Sequence, residues 1–161
     1  MRPIVRDFAE QDLDAVAALS LRAWAPVFAS LADVLRASGV WDRMYTDWRV
    51  DQEKAVRAAC TDDRMRVWVA MVGTAVAGFV AARLDHAERV GEIYMVAVDP
   101  EFQRHRVGST LTGVAVEWFT ASGMTLAMVE TGGDPGHAPA RRTYESAGFT
   151  RLPVARYFRA L

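Results

Sequence analysis

The 161-residue sequence predicts a mixed α/β fold, and three observations carry that expectation. Apolar residues recur at helical spacing in the first third, and strand-like runs take over from Arg66. The run Ile93–Val98 shows no apolar/polar alternation, which marks a strand buried on both faces near a sheet centre. That run then ends at Asp99-Pro100, crosses a polar, basic loop and enters an amphipathic helix near Gly108.

The elements follow in order. Pro3 to Arg6 reads as a short strand. Leu13, Val16, Ala17, Ser20, Leu21 and Trp24 form a helical stripe that Pro26 is expected to end. A short helix is expected from Ser30, as cap, to Ala37, with Gly39 as stop. Trp41, Met44, Tyr45, Trp48, Gln52, Ala55, Val56 and Ala59 mark one face of a longer helix. Val67–Met71 and Ala75–Leu84 flank a hairpin turn at Val72-Gly73-Thr74, and a polar turn at Asp85–Arg89 leads into strand Glu92–Val98. Leu111, Val114, Ala115, Trp118 and Phe119 stripe the next helix, which Gly123 closes. Strand Thr125–Glu130, a loop, a short helix to Ala147 and a tail of two short strands around Leu152-Pro153 complete the chain. No repeat or linker divides it, so residues 1–161 read as a single domain.

Composition narrows the function. Hydrophobic residues at 52% and charged residues at 24% suit a globular protein with a core of its own. The single cysteine, Cys60, allows no internal disulfide and favours an intracellular, cytoplasmic setting; it reads as a buried small hydrophobe. His86, His105 and His137 show no metal-ligand spacing, so no metal is expected. A net charge of −1 and the lack of a basic patch or aromatic RNA-binding motif argue against nucleic acid. No uninterrupted apolar stretch approaches the roughly 20 residues of a membrane span, and no secretory leader is evident. Oligomeric state stays open, a homodimer being the commonest soluble assembly.

Chemistry concentrates after the central strand. A strand–loop–helix order presents free backbone N–H groups and the positive end of a helix dipole to an anion, phosphate above all. Arg104, His105 and Arg106 add cationic or hydrogen-bonding groups, Gly108 permits close backbone approach, and Ser109 and Thr110 bring hydroxyls. The P-loop and dinucleotide fingerprints are both absent, which disfavours nucleotide hydrolysis and nicotinamide chemistry.

The segment VAVDPEFQRHRVGSTL resembles motif A of the GNAT superfamily of acyl-CoA-dependent N-acetyltransferases, Q/R-x-x-G-x-G/A. Gln103 takes the Q/R position, Arg106 the first glycine, Gly108 the second, and Ser109 follows as the small residue. The segment HAPARRTYESAGF resembles motif B, N-x-x-A-x-x-x-Y-E-x-x-G-F, with His137 in place of asparagine and Ala140 at the alanine. The resemblance covers nearly the whole chain. It implies a central mixed, mostly antiparallel sheet of six or seven strands flanked by about four helices.

It also implies roles. Acetyl-CoA is the acyl donor, with its pyrophosphate on Gln103 through Thr110, Val107 included, and with His137 and Ala140 on the cofactor arm. The backbone of Val96, Ala97 and Val98 pairs with pantetheine, as β-augmentation pairs a strand with an extended ligand. Tyr144 protonates the departing thiolate. Glu92, or a water chain, takes the proton of an alkylammonium whose pKa lies near ~10.4; Glu130 is the reserve. Trp24, Phe28, Trp41 and Tyr45, with Trp48 and with Asp47 or Asp51 nearby, are candidates to wall the amine acceptor, although a helical stripe is more often core. The expected reaction is direct acetyl transfer to a primary amine, a small molecule in preference to a protein. The competing reading is a non-catalytic module that binds or senses acyl-CoA.

Overall fold

The structure, a computed structural model, describes residues 2–161. Strand β1 (Ile4–Asp7) leads into helices α1 (Leu13–Leu35), α2 (Val40–Met44) and α3 (Trp48–Thr61). Strands β2 (Arg66–Val72), β3 (Ala75–Asp85) and β4 (Val90–Val98) follow, then α4 (Val107–Ala121), β5 (Leu126–Val129) and α5 (Ala138–Ser146). The sheet has the order β1-β2-β3-β4-β5; its first three pairings are antiparallel and β4 runs parallel to β5.

Alternation along the strands divides the core into two layers. Val67, Val69, Phe79, Ala81 and Ala97 face α1 and α3, meeting Val16, Leu19, Val56, Ala59 and Cys60. Trp68, Ala70, Ala77, Val80, Ala82 and Ile93 face α4, meeting Val107, Leu111, Ala115 and Phe119. Two glycines set how closely α4 can approach. A Cβ on Gly91 would stand 2.2 Å from the Phe119 ring, and one on Gly78 would stand 2.7 Å from the Ala97 carbonyl. The hairpin turn is as expected: Gly73, at φ +62°, and Thr74 join β2 to β3.

Several expectations need correction. Pro26 does not end the first helix but sits inside α1. The local cost of an interior proline, about 3 kcal/mol, is offset because α1 buries residues on both sides of it, Leu19 before and Phe28 and Ala32 after. Ser30 is therefore mid-helix and caps nothing. The stripe from Trp41 to Ala59 breaks at Tyr45–Asp47, where Asp47 accepts from the Arg49 and Val50 N–H groups and starts α3 afresh.

The tail forms no strands, so the sheet has five strands where six or seven were expected. Pro153 removes a ladder donor, and ion pairs from Arg151 to Glu145 and Arg156 to Glu130 hold the segment in an irregular path with Leu152, Val154 and Tyr157 exposed. Finally, Glu10–Leu35 has the length and composition of a membrane-crossing helix, because α1 is continuous where the sequence pattern suggested a break. One face of that helix lies in the core through Val16, Ala17, Leu19 and Ala32.

Candidate functional site

The site is built on β4. Its pairing with β5 runs only from Val90↔Leu126 to Ile93↔Val129, while its pairing with β3 continues to Val98↔Gly78. Beyond Ile93, β4 has no strand on its β5 side among the described residues. The register explains the parting. Ala81 pairs with Met95 and Ala82 with Ile93, so Tyr94 is an extra, bulged residue. A bulge bends its strand and deepens the local twist, here at the step where the parallel pairing stops. Tyr94 is accordingly 43% exposed, under the Arg83 guanidinium at 5.0 Å, and β4 is not buried on both faces throughout as its composition suggested.

Alternation then decides which backbone groups face the gap. Asp99 N–H donates to Ala77 O at 2.9 Å, on the β3 side. In an antiparallel ladder the preceding residue points its N–H and C=O the other way, so those of Val98 and Val96 face the open edge. Ala97 points to β3 with its small side chain buried. Asp99 itself is buried, ion-paired with Arg22 of α1, and accepts from the Glu101 N–H; this fixes the strand's exit.

The motif A loop follows. Arg104 and Arg106 both hold left-handed backbones, φ +68° and +61°, and Arg106 is the residue before the first turn of α4. The conformation a glycine would provide is thus adopted by an arginine. The first α4 N–H with a backbone partner is that of Thr110, to Arg106 O at 2.9 Å; those of Val107, Gly108 and Ser109 have none among the described residues. The Ser109 and Thr110 hydroxyls both donate to that same carbonyl, at 3.0 and 2.8 Å, so they brace the turn and do not take up the backbone amides. A cavity of about 700 Å³ opens against Arg104, His105, Arg106 and Thr110, with Arg2 across it. Gln103 is exposed and its carbonyl lies 3.0 Å from His105 Nδ1.

At Gly108 the elements converge. A Cβ there would lie 3.5 Å from Val98 and 3.7 Å from Thr143, bringing the end of β4, the start of α4 and the side of α5 together. Tyr144 follows Thr143 on α5, 7% exposed and edge-on to Phe149. Burial pushes its hydroxyl up to about 12, so it stays a proton donor at neutral pH. Ala140 is half-buried in the first turns of α5.

Glu92 lies in the closed half of β4, and Arg83 Nε donates to its Oε2 at 2.6 Å. Glu130, just past β5, is exposed and ion-paired with Arg156 of the tail at 3.1 Å. The aromatic group divides. Phe28 stacks on Trp48 at 4.4 Å and meets Tyr45, which meets Trp41. Trp24 instead packs edge-on against Phe79 in the core.

Sequence reasoning missed one cluster, around the half-buried His137. Asp134 Oδ1 faces His137 Nδ1, while Asp134 Oδ2 accepts from Ser30 Oγ at 2.6 Å and Gly136 N–H at 3.1 Å. The Asp-Pro-Gly-His spacing carries a turn signal that places Asp134 beside His137. Nothing local points to Ser30, 104 residues upstream.

Residues 30–149 match the model of the acetyltransferase (GNAT) family. The mycothiol acetyltransferase of Thermomonospora curvata is 31% identical over 107 residues, 66% of this chain and 35% of that protein. The chain spans between 19% and 35% of the length of the curated mycothiol acetyltransferases it matches. Among solved structures, the ribosomal-protein-S18-alanine N-acetyltransferase of Escherichia coli superposes with a TM-score of 0.68 at 19% identity, over 94% of this chain and 79% of that one. AAC(6')-Iy in complex with the bisubstrate analogue CoA-S-monomethyl-acetylneamine gives 0.65 at 15% identity, over 100% and 99%. At those identities the likeness is one of fold. The family match spans most of the sequence, from α1 to the residue after Gly148, and with it the chain belongs to the GNAT acetyltransferase family.

Proposed function

We propose that this chain moves an acetyl group from acetyl-CoA to the primary amine of a small molecule by direct attack. The observation that carries the reading is the open edge of β4 beyond Ile93, lying beside the unpaired amides at the start of α4. Those groups fit an extended, amide-bearing arm that ends in a diphosphate. Acetyl-CoA supplies an activated thioester. The chain supplies positioning: Val96 and Val98 offer backbone donors and acceptors along the arm, and Val107, Gly108 and Ser109 offer amides to the pyrophosphate. Arg104, His105 and Arg106 contribute charge or hydrogen bonds from the rim, and Ala140 borders the arm.

Tyr144 holds the proton that the leaving sulfur requires. Its burial keeps that proton in place until it is needed. Glu92 would have to leave Arg83, or act through water, to relieve the amine of its proton. Phe28, Trp41 and Tyr45 form the wall proposed for the acceptor, with Trp48 stacked behind. A small-molecule acceptor is supported by the curated relatives, named for mycothiol, and by the fold neighbour bound to an acetylneamine conjugate. The test is thiol release from acetyl-CoA with neamine, spermidine, an amino-acid methyl ester and an Ala-initiated peptide. Saturable turnover with one of the first three is expected. Acetyl-CoA binding without turnover of any amine would leave the non-catalytic module as the answer.

A further inference from the structure

We infer that the proton of the attacking amine is accepted by His137 Nε2, with Asp134 and Ser30 positioning the imidazole; the inference rests on the acetyl-transfer reading above. His137 closes the short turn Pro135–His137, which follows β5 and packs against α1. It stands just downstream of the point where β4 and β5 part.

The geometry sets the tautomer. A carboxylate only accepts, so the nitrogen facing Asp134 Oδ1 bears hydrogen, and in the neutral imidazole the lone pair is then on Nε2. Nε2 has no hydrogen-bond partner among the described residues, which contain no buried side-chain nitrogen or oxygen without one; this nitrogen is therefore not fully buried.

Asp134 is held on every side. Burial alone would raise its pKa, but the hydrogen bonds from Ser30 and His137, with the attraction of the imidazole once it is protonated, outweigh this and lower it, so the carboxylate stays ionised. Arg141 Nη1 donates to Gly132 O at 2.6 Å and to Asp134 O at 2.8 Å and fixes the loop. Gly132 leaves room for the ring, since a Cβ there would stand 2.4 Å from Nδ1. The side chains bonded to the imidazole or its carboxylate are thus Asp134 from the loop and Ser30 from α1, while Arg141 from α5 holds the loop backbone. Ser30 bonds the carboxylate and not the ring, so the cluster is not a nucleophile relay. It is an oriented base.

The proton count closes. An alkylammonium sheds two protons on becoming an amide. One passes to Nε2 and then to solvent. As the nitrogen pair forms the C–N bond and the C–S pair leaves on sulfur, Tyr144 gives its proton to that sulfur. The second nitrogen proton, through solvent, restores Tyr144.

The test compares wild type with His137→Asn and His137→Gln, each checked for folding by its melting curve, with neamine and spermidine as acceptors. At neutral pH, turnover in both variants is expected to fall about 100-fold or more, as removal of a general base gives. The KM for acetyl-CoA should change less than about threefold. The deficit should shrink with trifluoroethylamine, which is already unprotonated at neutral pH. Turnover retained within about threefold, or a KM for acetyl-CoA that rises with kcat intact, would overturn the assignment and make His137 a donor-binding residue. Should both variants fail to fold, the wild-type imidazole nitrogen NMR shifts decide. Hydrogen on Nδ1 supports the inference, and hydrogen on Nε2 overturns it. Wild type that turns over no amine would instead sink the acetyl-transfer reading itself.

Discussion

The two halves of β4 belong to one continuous strand and differ in what lies beside them. From Val90 to Ile93 the strand has β3 on one side and β5 on the other; from Tyr94 to Val98 it has β3 alone. In the closed half, backbone groups satisfy one another, and Gly91 lets α4 lie so near that a Cβ would collide with Phe119. In the open half, the Val96 and Val98 amides are left facing a gap, beside a helix start with three amides of its own. Unpaired backbone groups are costly when buried, and exposed edges invite pairing. A ligand that brings its own amides and phosphates resolves both. One bulged residue separates the strand half that is closed on both sides from the half proposed to bind the donor.

The largest expected effect lies in the open half's chemistry. Tyr144→Phe keeps the ring against Phe149 and removes only the hydroxyl, and with it the proton. We expect turnover to fall by roughly 10²–10⁴, the range for a lost general acid, with the KM for acetyl-CoA nearly unchanged. Steady-state kinetics decide it; equal turnover would remove Tyr144 from the reaction. A pH signature accompanies this. The folded value of Tyr144, about 12, lies above its ordinary 10.0, so the stability tied to its neutral form is complete below pH 10 and is lost as pH climbs toward 12. Tyr144→Phe should flatten that part of the alkaline stability profile in denaturant titrations.

Deleting Tyr94 removes the contrast itself. The partners Ala82↔Ile93 and Ala81↔Met95 would become consecutive, and Ile93 and Met95 already face opposite layers, so both cores keep their residues. The variant should fold with a regular ladder and lose the bend. Acetyl-CoA affinity, read by calorimetry, should drop on the order of tenfold, which is about 1.4 kcal/mol. Undiminished affinity would show that the bulge does not keep the edge open. The matching change in the closed half is Gly91→Ala. It overpacks against Phe119 and should cost about 1–3 kcal/mol of stability in denaturant unfolding, leaving turnover by the folded fraction intact.

How much of the molecule is legible in its sequence follows physical lines. The motif A strand, loop and helix are readable because their signals are local: a continuous apolar run, Asp99-Pro100, a basic loop and a helical stripe from Leu111. That the backbone of Val96 to Val98 is free to pair with a ligand is expected from family resemblance, but Tyr94 as a bulge is not, since a bulge is a relation between two strands and leaves no periodic trace in one. Tertiary packing overrides Pro26, and Asp47 as a cap breaks a stripe that periodicity alone joins. The partners of the candidate acids and bases are equally hidden. Arg83 on Glu92, and Ser30 and Asp134 about His137, come from contacts that no spacing rule announces.

Arg106 gives the smallest effect and the finest distinction within the open half. It stands where the motif has glycine, and its backbone takes the left-handed conformation that glycine would supply, at φ +61°. A non-glycine residue held there stores about 1–2 kcal/mol, and its guanidinium lines the cavity beside the free amides of α4. Backbone and side chain therefore pull in opposite directions. Arg106→Gly relieves the first and deletes the second, so melting temperature and donor affinity should separate. We expect stability to rise by about 1 kcal/mol at most, because glycine also frees the unfolded chain, while the KM for acetyl-CoA rises severalfold at low salt. High salt should shrink that KM difference, since exposed charge is screened and backbone amides at a helix start are affected less. A KM that rises equally at every salt concentration would assign the loss to loop geometry, and the guanidinium would then be no part of the anion site.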